Sequence, residues 1–243
     1  MCLTYTDRKI LPVIINVHGG GLIIGNKEFN RYFCALLCKK GFLVYSIEYR
    51  LIPDCLIYDQ IADVFMAMDY IKERLAADGG DSSHVYMAGD SGGACLITYV
   101  NAIQNSTNIA RAANVTPSGL RINALGLISG MFYTSRFDKI GLFLPKYLYG
   151  RDYKKTSFAK YVNPENRELL NSLAPVWLVT SHNDFLRRYT TDFEKALTRA
   201  EREHELVVFP KNKKLTHAFS VFEPYMPESS AVIDMMVEYL RKF

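Results

Sequence analysis

The segment Val85-Tyr86-Met87-Ala88-Gly89-Asp90-Ser91-Gly92-Gly93-Ala94 decides the fold of this chain. Its first four residues are apolar and predict a buried strand. Residues 94–103 have the pattern of a helix. Between the two, G-x-S-x-G predicts a sharp turn, because glycines carry no Cβ and let neighbouring backbone approach closely. Such a turn lifts the hydroxyl of Ser91 out of the sheet, where a base can reach it. Ser91 is therefore the predicted nucleophile.

A second motif, upstream, supports this assignment. His18-Gly19-Gly20-Gly21 follow an apolar, strand-like run at 13–17. A glycine run after a strand exposes backbone N–H groups, which can stabilise the oxyanion that forms when a serine attacks an acyl carbon. We predict Gly20 and Gly21 as oxyanion-hole donors, with the N–H of Gly92 as the third. A single G-x-S-x-G would more often be only a glycine-rich turn, and the second motif favours the nucleophile over that alternative.

In this order the two motifs resemble those of the hormone-sensitive-lipase-like branch of the α/β-hydrolase esterases, whose marks are an HGGG loop and a G-D-S-[AG]-G turn. The stretch Glu48-Tyr49-Arg50-Leu51-Ile52-Pro53-Asp54 is similar to the family's D-Y-R-L-A-P-E. The resemblance covers nearly the whole chain. It implies an α/β-hydrolase fold, with a mostly parallel central sheet, helices on both faces and a cap, and a carboxylesterase or acetylesterase type of activity.

The acid of a catalytic triad is sought after the nucleophile, because this fold carries serine, acid and histidine in that order. A strand-like run at 176–180 leads into Ser-His-Asn-Asp-Phe-Leu-Arg at 181–187, which is similar to the family's D-x-L-R element. Asp184 is the predicted acid. Two alternatives stay open: Asp184 could be a turn or N-cap acid of a helix at 185–200, and Asp192, inside that helix, could be the acid instead.

The base is predicted in the loop after the next strand. Residues 206–209 are strand-like, and Leu-Thr-His-Ala-Phe at 215–219 is similar to the family's H-[GA]-F. His217 is the predicted base, although a histidine after the basic run 211–214 is also compatible with a solvated loop. Both predicted partners follow strands, at the carboxyl end of the sheet where such sites assemble. The other histidines fit the role less well: His18, His84, His182 and His204.

A mechanism follows from these assignments. His217 takes the proton of Ser91 during attack and returns it to the leaving alcohol, while Asp184 holds the imidazole tautomer and stabilises the imidazolium. Water then releases the acyl group in the same way. No metal or organic cofactor is required, and the chain has no H-E-x-x-H or C-x-x-C motif.

The predicted substrate is a small, short-acyl ester, such as an acetyl ester of a sugar or of an aromatic alcohol. This preference comes from the family analogy and from a reduced cap, since relatives carry an N-terminal segment with cap helices and only about a dozen residues precede Val13. An aryl-formamide or amide hydrolase would use the same triad and is the alternative. A non-catalytic small-molecule receptor on this scaffold has less support, because all three triad members are found.

Short strands alternate with helices along the chain, which predicts a parallel sheet covered on both faces. A length of 243 residues suits one domain, residues 1–243. The predicted strands are 13–17, 42–47, 85–88, 124–128, 176–180 and 206–209, and the main helices are 28–40, 57–77, 94–103, 185–200 and 227–241.

The interval 131–172 breaks this rhythm and is predicted to be a cap insertion. It is longer than one crossover helix requires. The aromatic side chains in it either line a substrate pocket or pack a helical insert onto the core. They are Phe132, Tyr133, Phe137, Phe143, Tyr147, Tyr149, Tyr153, Phe158 and Tyr161.

Composition is that of an enzyme in aqueous solution. Lys and Arg exceed Asp and Glu by 29 − 25 = 4, too small an excess to indicate nucleic-acid binding. No apolar run approaches the roughly 20 residues of a membrane span. Five scattered cysteines indicate a reducing cytoplasm. Residues 2–6 are expected to form an edge strand, and an exposed sheet edge favours self-association as a homodimer.

Overall fold

Seven strands form one sheet in the computed structural model, which describes residues 1–4 and 10–243. The first strand is antiparallel to its neighbour, and all the other neighbours are parallel. This arrangement confirms the predicted, mostly parallel α/β sheet. In spatial order the strands are β1 (Cys2–Leu3), β3 (Leu43–Ser46), β2 (Leu11–Val17), β4 (Gly80–Asp90), β5 (Ala124–Ile128), β6 (Val176–Ser181) and β7 (His204–Phe209).

Helices cover both faces of this sheet, as predicted. The helices at 31–39 and 227–240 pack on one face, and the helices at 57–74, 92–105 and 187–199 pack on the other. Within the described residues the α-helices are α1 (Arg31–Lys39), α2 (Ile57–Arg74), α3 (Gly92–Asn105), α4 (Thr107–Ala113), α5 (Lys139–Phe143), α6 (Pro145–Tyr149), α7 (Arg167–Asn171), α8 (Arg187–Arg199), α9 (Phe219–Phe222) and α10 (Pro227–Leu240).

Strand β2 shows why its sequence is almost continuously apolar. Val13, Ile15 and Val17 enter the core layer beneath α2 and α3, whereas Ile14 enters the layer beneath α1 and α10. Because both faces are covered, side chains of both parities are buried. Each fully buried aliphatic side chain of this kind stabilises the fold by roughly 1.5–3 kcal/mol. The strand thereby holds the glycine loop that follows it at a fixed place.

Two strands begin earlier than predicted. β4 begins at Gly80 rather than at Val85, and β7 begins at His204 rather than at residue 206. The added residues are polar and at least partly exposed, so they lack the apolar pattern on which the prediction depends. Backbone pairing supplies the order instead: Leu11 pairs with Gly80 and Val176 pairs with His204.

The chain between β5 and β6 forms α5, α6 and α7 with two short 3-10 turns, at Tyr153–Lys155 and Ala159–Tyr161. Tyr149 ties this segment to α3, since its hydroxyl lies 2.9 Å from that of Tyr99 and 2.7 Å from Oγ1 of Thr134. Five of its nine aromatic side chains are buried in the core, which agrees with the packing interpretation for them: Phe132, Tyr133, Tyr149, Phe158 and Tyr161.

The edge strand predicted at 2–6 is observed in part. Cys2 and Leu3 pair with Tyr45 and Val44 of β3. The remainder of that prediction, from residue 5 onward, lies outside the described residues.

Candidate active site

Ser91 stands at the turn between β4 and α3 in a backbone conformation that L-residues rarely adopt, with φ 51° and ψ −115°. A conformation of this kind costs of order 1–3 kcal/mol and persists only where the surroundings enforce it. Here the N–H of Ser91 donates to Ile128 O at 2.9 Å, and the N–H of Met131 donates to Ser91 O at 3.0 Å. The turn is thus held against the end of β5.

Gly89 lets this turn pack against the neighbouring strand. A Cβ at this position would lie 2.6 Å from Val17 O and 2.7 Å from Ile97 Cδ1, closer than carbon atoms approach either group. The predicted need for a glycine here therefore has a direct steric cause.

The glycine loop after β2 adjoins the start of α3. Gly20 and Gly21 have φ of 98° and 62°, and the N–H groups of Ile23 and Ile24 both donate to Gly20 O at 3.1 Å, closing a tight turn. A Cβ on Gly92 would lie 3.1 Å from Gly21 N, so the two backbones are in contact. In the part of the chain that the structure describes, the N–H groups of all three predicted donors have no hydrogen-bond partner. They are available to a ligand atom.

Asp90 joins the glycine loop to the serine turn. Its side chain is fully buried, and Oδ1 accepts from Gly19 N at 3.0 Å and from Asn30 Nδ2 at 2.8 Å. Burial raises the pKa of Asp90, against the opposing influence of the Asn30 hydrogen bond and of nearby His217. Sequence reasoning assigned this residue no role, although an acid inside an apolar turn is a signal that could have been noticed.

His18 packs within the same glycine loop. Its ring stacks on Tyr49 with centroids 4.3 Å apart, and the Tyr49 hydroxyl donates to His18 O at 2.7 Å. Burial lowers the pKa of His18. Tyr49 belongs to the Glu-Tyr-Arg stretch that resembles the family motif. Its contacts with His18 hold the glycine loop against that stretch.

We expect the stability of the Asp90→Asn protein, relative to that of the wild-type protein, to increase as the pH rises. A carboxyl group whose pKa is higher in the folded than in the unfolded state contributes stability below its unfolded value, about 3.9, and loses it as the pH rises through the folded value. Asparagine cannot ionise, yet its oxygen can still accept from Gly19. Urea unfolding between about pH 4 and pH 7 should show the variant gaining free energy of unfolding relative to the wild-type protein. A difference independent of pH would contradict this.

Asp184 and His217 meet at the ends of β6 and β7. Nδ1 of His217 lies 2.7 Å from Asp184 Oδ1, and the same oxygen accepts from Leu186 N at 2.8 Å. Thr180 Oγ1 donates to the other oxygen at 2.8 Å. Burial alone would raise the pKa of Asp184, but the hydrogen bond and charge of His217, with help from Ser129, outweigh burial and lower it. The carboxylate is buried, ionised and aimed at the imidazole.

The two alternatives for the acid can be compared with this geometry. Asp184 does bind the backbone N–H that precedes α8, so its role as a turn acid and its contact with His217 occur together. Asp192 lies within α8 and pairs instead with Arg136 at 2.9 Å and Lys195 at 3.5 Å.

His217 and Ser91 are brought to the same strand end. The N–H of Ala218 donates to Ser129 Oγ at 3.1 Å, and Ser129 follows Ile128, whose carbonyl accepts from Ser91 N. Among the hydrogen bonds of the described residues, none joins the Ser91 hydroxyl to the imidazole. Such bonds between nucleophile and base are often long in unliganded proteins and tighten in the substrate complex.

A cavity of about 350 Å³ opens beside these residues. Gly21 and Met131 line it, and the N–H of Met131 donates to Ser91 O, so the cavity lies next to the glycine loop and the serine turn. Of the nine aromatic side chains in the 131–172 interval, Phe143 and Tyr147 line it, and the rest of the wall is mostly apolar: Ile23, Lys139, Ile140 and Leu144. A larger cavity of about 520 Å³, between β3 and α2, contains none of the predicted site residues.

Metal sites and membrane-spanning helices are two further features that bear on function. No group of three or more His, Cys, Asp or Glu side chains suited to a metal ion occurs in residues 1–4 and 10–243. Over those residues, every helix is too short or too polar to span a membrane.

Known proteins resemble this chain in sequence. A family model described as the alpha/beta hydrolase fold matches residues 14–220. A probable isoprenylcysteine alpha-carbonyl methylesterase of Oryza sativa subsp. japonica is 28% identical over 174 residues, 67% of this chain and 42% of that protein. The amyloplastic tuliposide A-converting enzyme b1 of Tulipa gesneriana is 31% identical over 120 residues, 45% of this chain and 32% of that protein. The chain spans less than half the length of these two relatives.

Solved structures also resemble it. Esterase B from Lactobacillus rhamnosis superposes with a TM-score of 0.90 at 23% sequence identity, covering 98% of this chain and 78% of that one. A likeness of this quality establishes a common fold.

Proposed function

Since the chain belongs to the α/β-hydrolase family, in its hormone-sensitive-lipase-like branch, we propose that it is a serine carboxylic ester hydrolase of the carboxylesterase type. The observation that carries the proposal is the 2.7 Å hydrogen bond between His217 and Asp184, on the side of the sheet where the strands end and where the Ser91 turn also lies. A histidine oriented by a buried carboxylate, near a serine in an enforced conformation, is what nucleophilic acyl transfer needs. The names of the relatives, methylesterase and esterase, agree with this chemistry.

The proposed reaction begins with attack of Ser91 Oγ on the acyl carbon. Because Nδ1 of His217 is bonded to Asp184, Nε2 takes the serine proton. The carbonyl oxygen becomes an oxyanion and accepts hydrogen bonds from the N–H groups of the glycine loop and of Gly92. Breakage of the ester C–O bond then releases the alcohol, which leaves with the proton held by Nε2. Water attacks the acyl-enzyme by the same steps and restores the serine.

We propose short-acyl esters as substrates and the 131–172 interval as the cap that shapes their pocket. The cavity of about 350 Å³ beside Gly21 and Met131 is near the lower end of the range for small-molecule sites, about 300–1,000 Å³. Its wall is mostly apolar, which suits an acyl chain better than a charged group. Phe143 and Tyr147 are the cap residues proposed to contact that chain.

We propose that residues 1–243 act as a single domain, that the protein works in the cytoplasm, and that copies associate through a sheet edge. The short strand β1 already covers β3 at one edge, so the outer strand at the other edge, β7, is the more open candidate for self-association.

The substrate proposal is tested with 4-nitrophenyl esters of acetyl, butyryl, octanoyl and palmitoyl chains. We expect kcat/KM to be highest for the two shortest esters and at least about tenfold lower for the palmitoyl ester, because a palmitoyl chain is too long for the proposed cavity to enclose and its carbonyl would be positioned poorly for attack. A marked preference for palmitoyl would refute the short-acyl proposal. Faster hydrolysis of the matched anilide, 4-nitroacetanilide, than of 4-nitrophenyl acetate would favour the amide hydrolase instead.

A further inference from the structure

Resting on the proposed ester hydrolysis, we propose that Phe185 selects the alcohol half of the substrate and favours esters of aromatic alcohols. Its ring centroid lies 4.4 Å from that of His217, with the ring planes tilted by 43°. Although Phe185 packs on the imidazole, 73% of the residue is exposed. It therefore presents one aromatic surface to the predicted base and leaves the rest of its ring free for a ligand.

The position of this ring is set by the site itself. Phe185 follows Asp184 directly, and the carboxylate of Asp184 accepts from the N–H of Leu186 at 2.8 Å. The N–H of Arg187 donates to the Asp184 carbonyl at 3.1 Å. The backbone on both sides of Phe185 is thus tied to the acid that orients His217. An aromatic side chain on so constrained a turn can act as a fixed wall.

The chemistry of the reaction assigns this wall to the alcohol. The imidazole returns its proton to the leaving oxygen, which must then lie within about 2.6–3.2 Å of Nε2. Whatever the alcohol carries beyond that oxygen lies against the groups flanking His217, and Phe185 is such a group. The cavity proposed for the acyl chain is lined by Gly21, Met131 and cap residues and does not include Phe185. The two halves of an ester therefore have separate apolar surfaces.

An aromatic alcohol gains more from this surface than an aliphatic alcohol of similar size. Pairs of aromatic rings in offset or tilted contact gain energy beyond the burial of apolar area. Applied to one ring of the substrate, this gain corresponds to about a 3- to 10-fold advantage in kcat/KM.

The experiment compares benzyl acetate with cyclohexylmethyl acetate, which share the acyl group and differ chiefly in the aromaticity of the alcohol. We expect the ratio of kcat/KM, benzyl over cyclohexylmethyl, to fall about 3- to 10-fold in Phe185→Leu and to be retained in Phe185→Tyr. Tyr70→Leu is the matched control, because Tyr70 is also exposed, at 63%, but lines the separate cavity near α2. This control should keep the wild-type ratio.

An unchanged ratio in a folded Phe185→Leu protein would overturn the inference while leaving the esterase proposal in place. An equal loss on both esters, with a displaced pH profile, would do so too, since it would mean that Phe185 only positions His217. If the wild-type protein hydrolyses no ester in either panel, the proposed function fails and this inference fails with it.

Discussion

Replacing Ser91 with alanine is expected to lower kcat/KM for the best short-acyl ester by about 10⁴- to 10⁶-fold, because alanine has no oxygen with which to form the acyl-enzyme. The residual rate would come from the oxyanion donors and from substrate binding. Steady-state kinetics over a range of enzyme concentrations, with circular dichroism to establish folding, measures the effect. Ser83→Ala is the matched control, since Ser83 is exposed on the same strand, β4, at its distant end.

Full or near-full activity in the Ser91→Ala protein would remove the proposed mechanism altogether. Activity lost in the Ser83→Ala control as well would point to a general effect on β4 instead of a chemical role for the hydroxyl. The two serines differ in exposure and in backbone conformation, and we expect only Ser91 to matter.

Replacing Asp184 with asparagine is expected to lower kcat by about 10⁴-fold while leaving the fold intact. The asparagine amide can present an N–H to Nδ1 of His217 where the carboxylate presents only acceptors, which favours the wrong imidazole tautomer. The charge that stabilises the imidazolium is lost in the same change. Asp192→Asn is the control and should stay near wild-type activity, because Asp192 pairs with Arg136 and Lys195.

The opposite outcome, with Asp192→Asn inactive and Asp184→Asn active, would transfer the role of the acid to Asp192. Loss of activity in both variants together with a lower melting temperature would indicate that α8 had been disturbed. The melting temperature of each variant is therefore measured beside its kinetics.

Much of the fold could be predicted from the chain because its signals are local. The glycines around Ser91 and in the loop after β2 mark places where backbone must approach backbone or adopt positive φ, and Gly89 and Gly20 meet those requirements. Apolar runs such as Val13 to Val17 predict strands covered on both faces. These features do not depend on distant parts of the chain, and the predicted fold class and family were confirmed.

The candidate site was predictable only where a motif marked it. Strand order and short patterns predict Asp184 and His217, and their side chains lie 2.7 Å apart in the structure. The roles of Ser129 and Met131, which brace the site through backbone and hydroxyl hydrogen bonds, had no sequence signal. Those contacts depend on where β5 ends relative to β4 and β6, and this is a property of the assembled sheet.

The aromatic residues of the 131–172 interval illustrate the same limit. Tyr147 and Tyr149 are the same residue type and lie two positions apart. Tyr147 nevertheless lines the cavity, whereas Tyr149 is buried against Tyr99. Which of them faces outward depends on the orientation of α6, a helix of five residues. Periodicity over so short a helix cannot determine that orientation.

The central claim is that Ser91 is a nucleophile activated by His217. Its most direct test is covalent labelling with an organophosphonate that carries a good leaving group, followed by mass spectrometry of the intact protein and of its peptides. We expect one adduct per chain, on Ser91, absent from the Ser91→Ala protein and formed far more slowly by the His217→Ala protein. A folded wild-type protein that forms no adduct, or forms it on another residue, would contradict the claim.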